Sequence, residues 1–319
     1  MDASIGLRVL NAGLRTDRLS INDQGFRGPP IEVPKSAQGL RLAFLGASTT
    51  FCAEVSNNDA VWASLVTERI RQAYPGRAID FVNGGVPGYT VASSRKNLQH
   101  RITALAPDII VIYHATNDLS GEVRALAVAA GIPGAAESGR MGWLERNSLL
   151  WELVVKNLRV RNAQRDSGEV PRLSVDARAL GANFRRELTE LVREAKASAP
   201  LVAVATFSTR LRASQSLEEK RQAAVSALVY MPFMTVDGLI ESYARYNQII
   251  REVAAQEGAL VIEGEHDIPG DAAHFFDTVH FSDAGSRAMA KRVADALLAA
   301  SEFKAVAEAP RRQGPPAGR

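Results

Sequence analysis

With 319 residues and 46% hydrophobic content, the chain can bury one large core and still carry an insertion, which favours a single domain. Its formal charge of +3 and pI near 9.1 come from scattered arginine and not from a basic block, so no nucleic-acid partner is indicated. One cysteine, Cys52, excludes an intrachain disulfide, and no run approaches the roughly 18 to 20 apolar residues of a membrane span, so no membrane-spanning segment is expected.

Residues 1–39 are polar and punctuated by turns, with Gly25-Phe26-Arg27-Gly28-Pro29-Pro30 at their centre, and predict an extended N-terminal arm over the surface. The start, Met1-Asp2-Ala3-Ser4, lacks the basic and apolar regions of a signal peptide. A folded domain is expected over 40–300. Apolar runs recur at 42–45, 79–82, 108–113, 201–207 and 259–263. Helical patterns alternate with them at 61–74, 183–197, 239–256 and 283–300. Short Val- and Ile-rich runs alternating with helices imply an α/β fold: a three-layer sandwich with a parallel sheet of about five strands. Two stretches break the alternation. A helical insertion is expected over 119–180, with an apolar helix near 143–160, and a loop insertion over 208–238; both emerge at one sheet edge, as a substrate wall or as helices packed on the body. The Pro- and Gly-rich end, 301–319, predicts a disordered tail.

The first apolar run ends in Gly46-Ala47-Ser48-Thr49-Thr50. In open parallel sheets the carboxyl ends of strands are where ligands bind, so Ser48 stands at the working edge. A serine hydroxyl is a poor nucleophile without an imidazole in hydrogen-bond reach and a third group that fixes the imidazole tautomer. Asp277-Thr278-Val279-His280 supplies both, because residues three apart in a turn entering a helix face the same way. Ser282 or Asp283 then reads as the helix N-cap. Charge developing on a carbonyl oxygen needs donors. The candidates are the backbone N–H of Ser48, the backbone N–H of Gly88 in the loop after the second run, and the side-chain amide of Asn117 after the third.

These blocks, Gly46-x-Ser48, the Gly88 loop, Asn117-Asp118 and Asp277-x-x-His280, resemble in order and spacing those of the SGNH hydrolases, the GDSL-like lipase/acylhydrolase family, over about residues 40–300. The resemblance implies a flavodoxin-like α/β/α fold and esterase activity. It carries the nucleophile to Ser48, the rest of the triad to Asp277 and His280, and the oxyanion hole to Ser48, Gly88 and Asn117. Two positions depart from the family pattern: Gly-Asp-Ser-Leu is Gly46-Ala47-Ser48-Thr49 here, and Ala115 stands two residues before the Asn where Gly is usual. Neither removes a catalytic group. The segment Gly25-Phe26-Arg27-Gly28 resembles that of relatives with an N-terminal anchor or signal, which implies an extracytoplasmic site.

Taken singly, Ser48 reads more readily as a helix cap, Gly88 as a turn residue and Asp118 as structural; the set together points to catalysis. The remaining histidines, His100, His114, His266 and His274, show no metal-ligand spacing, so no metal and no cofactor are expected. His114 reads as a satisfied core histidine, and Arg210 and Arg212 as solvated charge or as contacts to an acidic substrate group. Trp143, Trp151, Tyr230 and Phe233 are candidates for an acyl pocket. Position 50 is Thr where the α/β-hydrolase elbow needs Gly. The expected reaction is hydrolysis of a small-molecule or glycan ester, or a thioester. Acetyl transfer to or from an envelope carbohydrate, and a non-catalytic binding module, are the alternatives. The sequence selects no oligomeric state.

Overall fold

Each of the five apolar runs forms a strand, and the strand order explains where a site can lie. The computed structural model describes residues 4–132, 135, 173 and 175–309. Strands β1 (Leu40–Gly46), β2 (Ile79–Asn83), β3 (Ile109–Tyr113), β4 (Leu201–Ala205) and β5 (Leu260–Ile262) form one parallel sheet in the order β2-β1-β3-β4-β5. Every residue of β1, β3 and β4 is buried. Both faces of these strands are covered, which is why their sequences are almost wholly apolar; the exception, Arg41 in β1, is buried with its guanidinium on the Asp80 carboxylate and the Leu105 and Glu32 carbonyls.

The helices follow in chain order: α1 (Ser48–Phe51), α2 (Trp62–Ala73), α3 (Val91–Asn97), α4 (Thr116–Ala129), α5 (Ala182–Ser198), α6 (Leu217–Tyr230), α7 (Val236–Glu257), α8 (Asp283–Ala299) and α9 (Ser301–Glu308). Helix α2 packs against α8, while α5 packs against both α3 and α7. Right-handed crossovers put α2 on one face of the sheet and α3, α5 and α7 on the opposite face, and α8, packed on α2, shares the first. The chain leaves β1 toward β2 and later crosses to β3 on the other side, so the strand order reverses at β1/β3. In a doubly wound sheet, the crevice above this reversal is the natural binding edge.

Three expectations are corrected. The tail from 301 is not disordered throughout, because α9 follows directly. Phe303 and Ala307 are buried, with the Phe303 ring 5.9 Å from that of Tyr74 in an edge-on arrangement. Spacing of i, i+4 on one helical face accounts for it. Residues 208–238 are not simply a loop. They contain α6, started by a capping box in which Ser216 Oγ accepts the Glu219 N–H and the Glu219 carboxylate accepts the Ser216 N–H. The N-terminal arm is not merely laid over the surface, for Leu7, Leu10, Ile21, Phe26 and Ile31 are buried in it. Antiparallel bridges at Arg15/Ser20 and Ile21/Arg27 fold it back on itself. The apolar helix expected near 143–160, with Trp143 and Trp151, lies outside the described residues. No helix among the described residues is long and apolar enough to cross a membrane.

Candidate active site

Strand β1 ends at Gly46, and Ala47 leads into the single turn α1 that starts at Ser48. A Cβ on Gly46 would lie 2.0 Å from Thr50 Oγ1 and 2.9 Å from the Tyr113 carbonyl, so only glycine fits there. Gly85 has the same constraint from the other side: its Cβ would meet the Phe51 backbone nitrogen at 2.6 Å. The loop after β2 is thereby pressed against the serine turn. As the first residue of a helix, Ser48 has an N–H with no acceptor inside that helix.

His280 reaches Ser48 from the opposite end of the chain. Its Nε2 lies 2.8 Å from Ser48 Oγ, and its Nδ1 lies 2.9 and 2.8 Å from the two carboxylate oxygens of Asp277. Asp277 Oδ1 also accepts the backbone N–H groups of Val279 and His280, each at 2.9 Å. The carboxylate is therefore an acceptor on every side, which assigns the proton to Nδ1 and leaves Nε2 as the acceptor for the serine hydroxyl. The turn is closed by Phe276 N–H to the His280 carbonyl at 2.8 Å and enters α8 through Ser282, whose Oγ accepts the Gly285 N–H. Of the two N-cap candidates the structure selects Ser282.

Thr278, between the two, is the anchor of this loop. Its N–H donates to Ser226 Oγ at 3.0 Å and its hydroxyl donates to the Ala223 carbonyl at 2.6 Å, both on α6, while its carbonyl accepts the Arg210 N–H. Sequence reading passed over Thr278 and Ser226, 52 positions apart, because nothing local links them. The 208–238 insertion is thus tied to the Asp-His turn.

On the third side, Gly88 adopts φ +83°, a left-handed conformation that an L side chain resists. Its loop is fixed to α4 by two consecutive residues. Asn117 Nδ2 donates one hydrogen to the Tyr89 carbonyl at 2.8 Å, and the Asp118 carboxylate accepts the Val91 N–H at 3.1 Å. An amide nitrogen held through one hydrogen keeps the second for another acceptor. Asp118 is pushed up to about 7, chiefly by burial, against the opposing pull of its backbone hydrogen bonds. A carboxyl with a higher proton affinity in the folded than in the unfolded chain takes up protons on folding, so stability falls as pH rises between about 4 and 7. Asp118→Asn keeps the acceptor and loses the titration. Its stability relative to the parent should therefore rise by a few kcal/mol over that interval, each tenfold change in proton affinity being worth about 1.4 kcal/mol. Urea unfolding of both proteins at pH 4.5 and pH 8 checks this; a difference that does not move with pH refutes it.

His114 is buried, with Nε2 2.7 Å from Ser94 Oγ, and burial pushes it down to about 3, so it is neutral at any working pH. Arg212 donates to the carbonyls of Thr209, Leu211 (2.8 Å) and Ile268. The Phe233 ring is buried beside Ala127 and Ala135, whereas Tyr230 is exposed. Among the described residues no group of His, Cys, Asp and Glu could hold a metal ion.

Solved structures similar to this chain resemble it at low identity. An acetylxylan esterase from Geobacillus stearothermophilus is 16% identical, with a TM-score of 0.48, over 82% of this chain and 96% of its own. A lipase/acylhydrolase from Enterococcus faecalis is 16% identical, with a TM-score of 0.48, over 86% and 100%. An α/β hydrolase from the metagenome of Lake Arreo, Spain, is 17% identical, with a TM-score of 0.47, over 81% and 94%. A comparison with curated proteins found no match. The model of the GDSL-like Lipase/Acylhydrolase family matches residues 44–288, a span that begins in β1 just ahead of Ser48 and ends in α8 just after His280. This protein belongs to the GDSL-like Lipase/Acylhydrolase family and is an SGNH-type esterase.

Proposed function

We propose that the chain hydrolyses carboxylic esters or thioesters through an acyl-enzyme on Ser48. The observation that carries this reading is the unbroken line from Asp277 through Nδ1 and Nε2 of His280 to Ser48 Oγ, each link 2.8 to 2.9 Å long. As Ser48 Oγ bonds to the substrate carbonyl carbon, its proton passes to His280 Nε2 and the carbonyl π pair moves onto oxygen. Collapse of that oxyanion expels the alcohol or thiol, which takes the proton from Nε2. Water then gives a proton to His280 Nε2 as it bonds to the acyl carbon, and collapse of this second oxyanion breaks the bond to Ser48 Oγ, which takes the proton back from Nε2 as the acid leaves. Asp277 keeps the imidazole in the productive tautomer and stabilises the imidazolium.

The oxyanion is assigned to the N–H of Ser48, the N–H of Gly88 and Nδ2 of Asn117. Removing one such donor typically costs about 10²- to 10³-fold in kcat. Asn117→Ala should show that loss with KM changed by no more than about twofold, since a donor that strengthens only on the charged oxygen contributes little to ground-state binding. Steady-state kinetics on p-nitrophenyl acetate measure both constants. The acyl-enzyme itself is tested by intact mass after fluorophosphonate treatment: one adduct, mapped to Ser48, is expected. An unlabelled chain, or an adduct elsewhere, would defeat the assignment. Release of free acid in water without a sugar acceptor separates hydrolysis from acyl transfer.

A further inference from the structure

A one-turn helix cannot hold its own shape, because nucleation is unfavourable and its last carbonyls have no intrahelical partner. In α1 those carbonyls are taken up by side chains from other segments. Trp62 Nε1 donates to Thr49 O at 3.0 Å, and Asn83 Nδ2 donates to Thr50 O at 3.0 Å. The Phe51 carbonyl, and that of Cys52 just past the helix, accept Nη1 of Arg27 in the N-terminal arm at 2.8 and 2.5 Å. Arg27 Nε donates to Asn58 Oδ1 at 2.9 Å, and its guanidinium carbon lies 5.2 Å from the centre of the Phe51 ring. Cys52, where the turn ends, has φ +57°, a conformation a non-glycine residue keeps only when its surroundings hold it.

We propose that Arg27 is a positioning residue for the esterase: by closing the carboxyl end of the Ser48 turn, it fixes the direction of the Ser48 hydroxyl and N–H. This role rests on Ser48 being the nucleophile. A guanidinium suits it because one rigid planar head, with donors at fixed spacing, serves two adjacent carbonyls and a side-chain amide at once, whereas an ammonium is a compact charge on a flexible stem. The residue is buried, at 2% exposure, and burial lowers its proton affinity only to about 10, so it stays charged at neutral pH.

The rest of the arm supports the same purpose. Leu7, Leu10 and Ile21 pack with Ala47 and Phe51 of the serine turn and with Val86 and Tyr89 of the Gly88 loop, and the Tyr89 hydroxyl donates to the Arg8 carbonyl. Arg18 Nη2 donates to the Val55 carbonyl at 3.1 Å, just past the turn. Residues ahead of the sheet thus bear on two of the three elements assigned to the oxyanion.

The experiment compares the full chain with Arg27→Met, Arg27→Lys and Ser48→Ala. Turnover of p-nitrophenyl acetate is divided by the number of sites titrated with a fluorophosphonate, and thermal unfolding is recorded in parallel. Because an error of about 1 Å in a reacting group can cost about 10²-fold, kcat per titrated site in Arg27→Met should fall by roughly 30-fold or more, with KM within about twofold, and Arg27→Lys should lie between it and the parent. A role in folding alone would lower the number of titratable sites and leave each site as fast as before. If Arg27→Met does not accumulate as folded protein, Arg27→Lys decides by the same ratio. Per-site kcat within about threefold of the parent, with Ser48→Ala inactive, would overturn the role of Arg27 and leave the nucleophile standing. Turnover by Ser48→Ala at the parental rate would remove both.

Discussion

Ser48→Ala should lower kcat on simple esters by about four orders of magnitude or more while leaving the fold unchanged. Loss of a triad nucleophile leaves only the catalysis that bound water and oxyanion donors supply, roughly 10³- to 10⁴-fold over the uncatalysed reaction. The substitution removes one oxygen, whose bond is to His280 Nε2, and it keeps the backbone N–H at position 48 and every carbonyl contact of the turn. Ser48 is only half-buried, so water can replace the hydroxyl beside the imidazole, and stability should stay within about 1 kcal/mol of the parent. Kinetics, thermal unfolding and circular dichroism together check the claim. Residual turnover within tenfold of the parent in a folded variant would mean that another group does the attack.

What could be read from the sequence follows from how local each signal is. The strands were legible because burial on both faces leaves runs such as Ile109-Ile-Val-Ile-Tyr113 with no polar residue. Asp277, His280 and the cap at Ser282 were legible because an Asp-x-x-His turn and a serine cap each act within a few residues. Ser48 and Asn117 were legible as strand-end residues, and the spacing between blocks matched a known family. Helix α6 was not, since its buried side chains include Ala223, Ala224 and Ala227 and so write a weak apolar stripe. Its signal was the capping box at Ser216 and Glu219. Helix α9 was hidden by the Pro- and Gly-rich residues that follow it. The supports of the site were the least visible: Asn117 to Tyr89, Thr278 to Ser226 and Arg27 to Phe51 join residues 28, 52 and 24 positions apart. Such bonds exist only once the sheet has brought the segments together.

The serine turn, the Gly88 loop and the Asp-His turn are therefore each stiffened from a different direction. The arm closes the serine turn, α4 holds the Gly88 loop, and α6 holds the Asp-His turn through Thr278. Preorganised donors and a fixed general base act without reorganising during the reaction, which is where most electrostatic stabilisation of a transition state comes from.

Asp277→Asn should be nearly as damaging as loss of the nucleophile, and for a reason specific to this turn. Asp277 Oδ1 already accepts the N–H groups of Val279 and His280, so the carbonyl oxygen of an introduced asparagine is pinned to those two donors. Its NH₂ then takes the Oδ2 place, 2.8 Å from His280 Nδ1 and nearer than the 2.9 Å of Oδ1, where an N–H on Nδ1 would meet another donor. A donor in that place turns Nδ1 into an acceptor and drives the proton to Nε2, where it faces Ser48 Oγ and cannot be exchanged for the serine proton. In a Ser-His-Asp triad, the same change with geometry preserved lowers kcat by about 10⁴, and a similar loss is expected here with KM little altered. Nitrogen-15 spectra of the His280 ring near neutral pH give an independent readout: protonation at Nδ1 in the parent and at Nε2 in the variant. A loss smaller than about tenfold, or a ring that keeps its proton on Nδ1 in the variant, would show that the carboxylate does not set the tautomer.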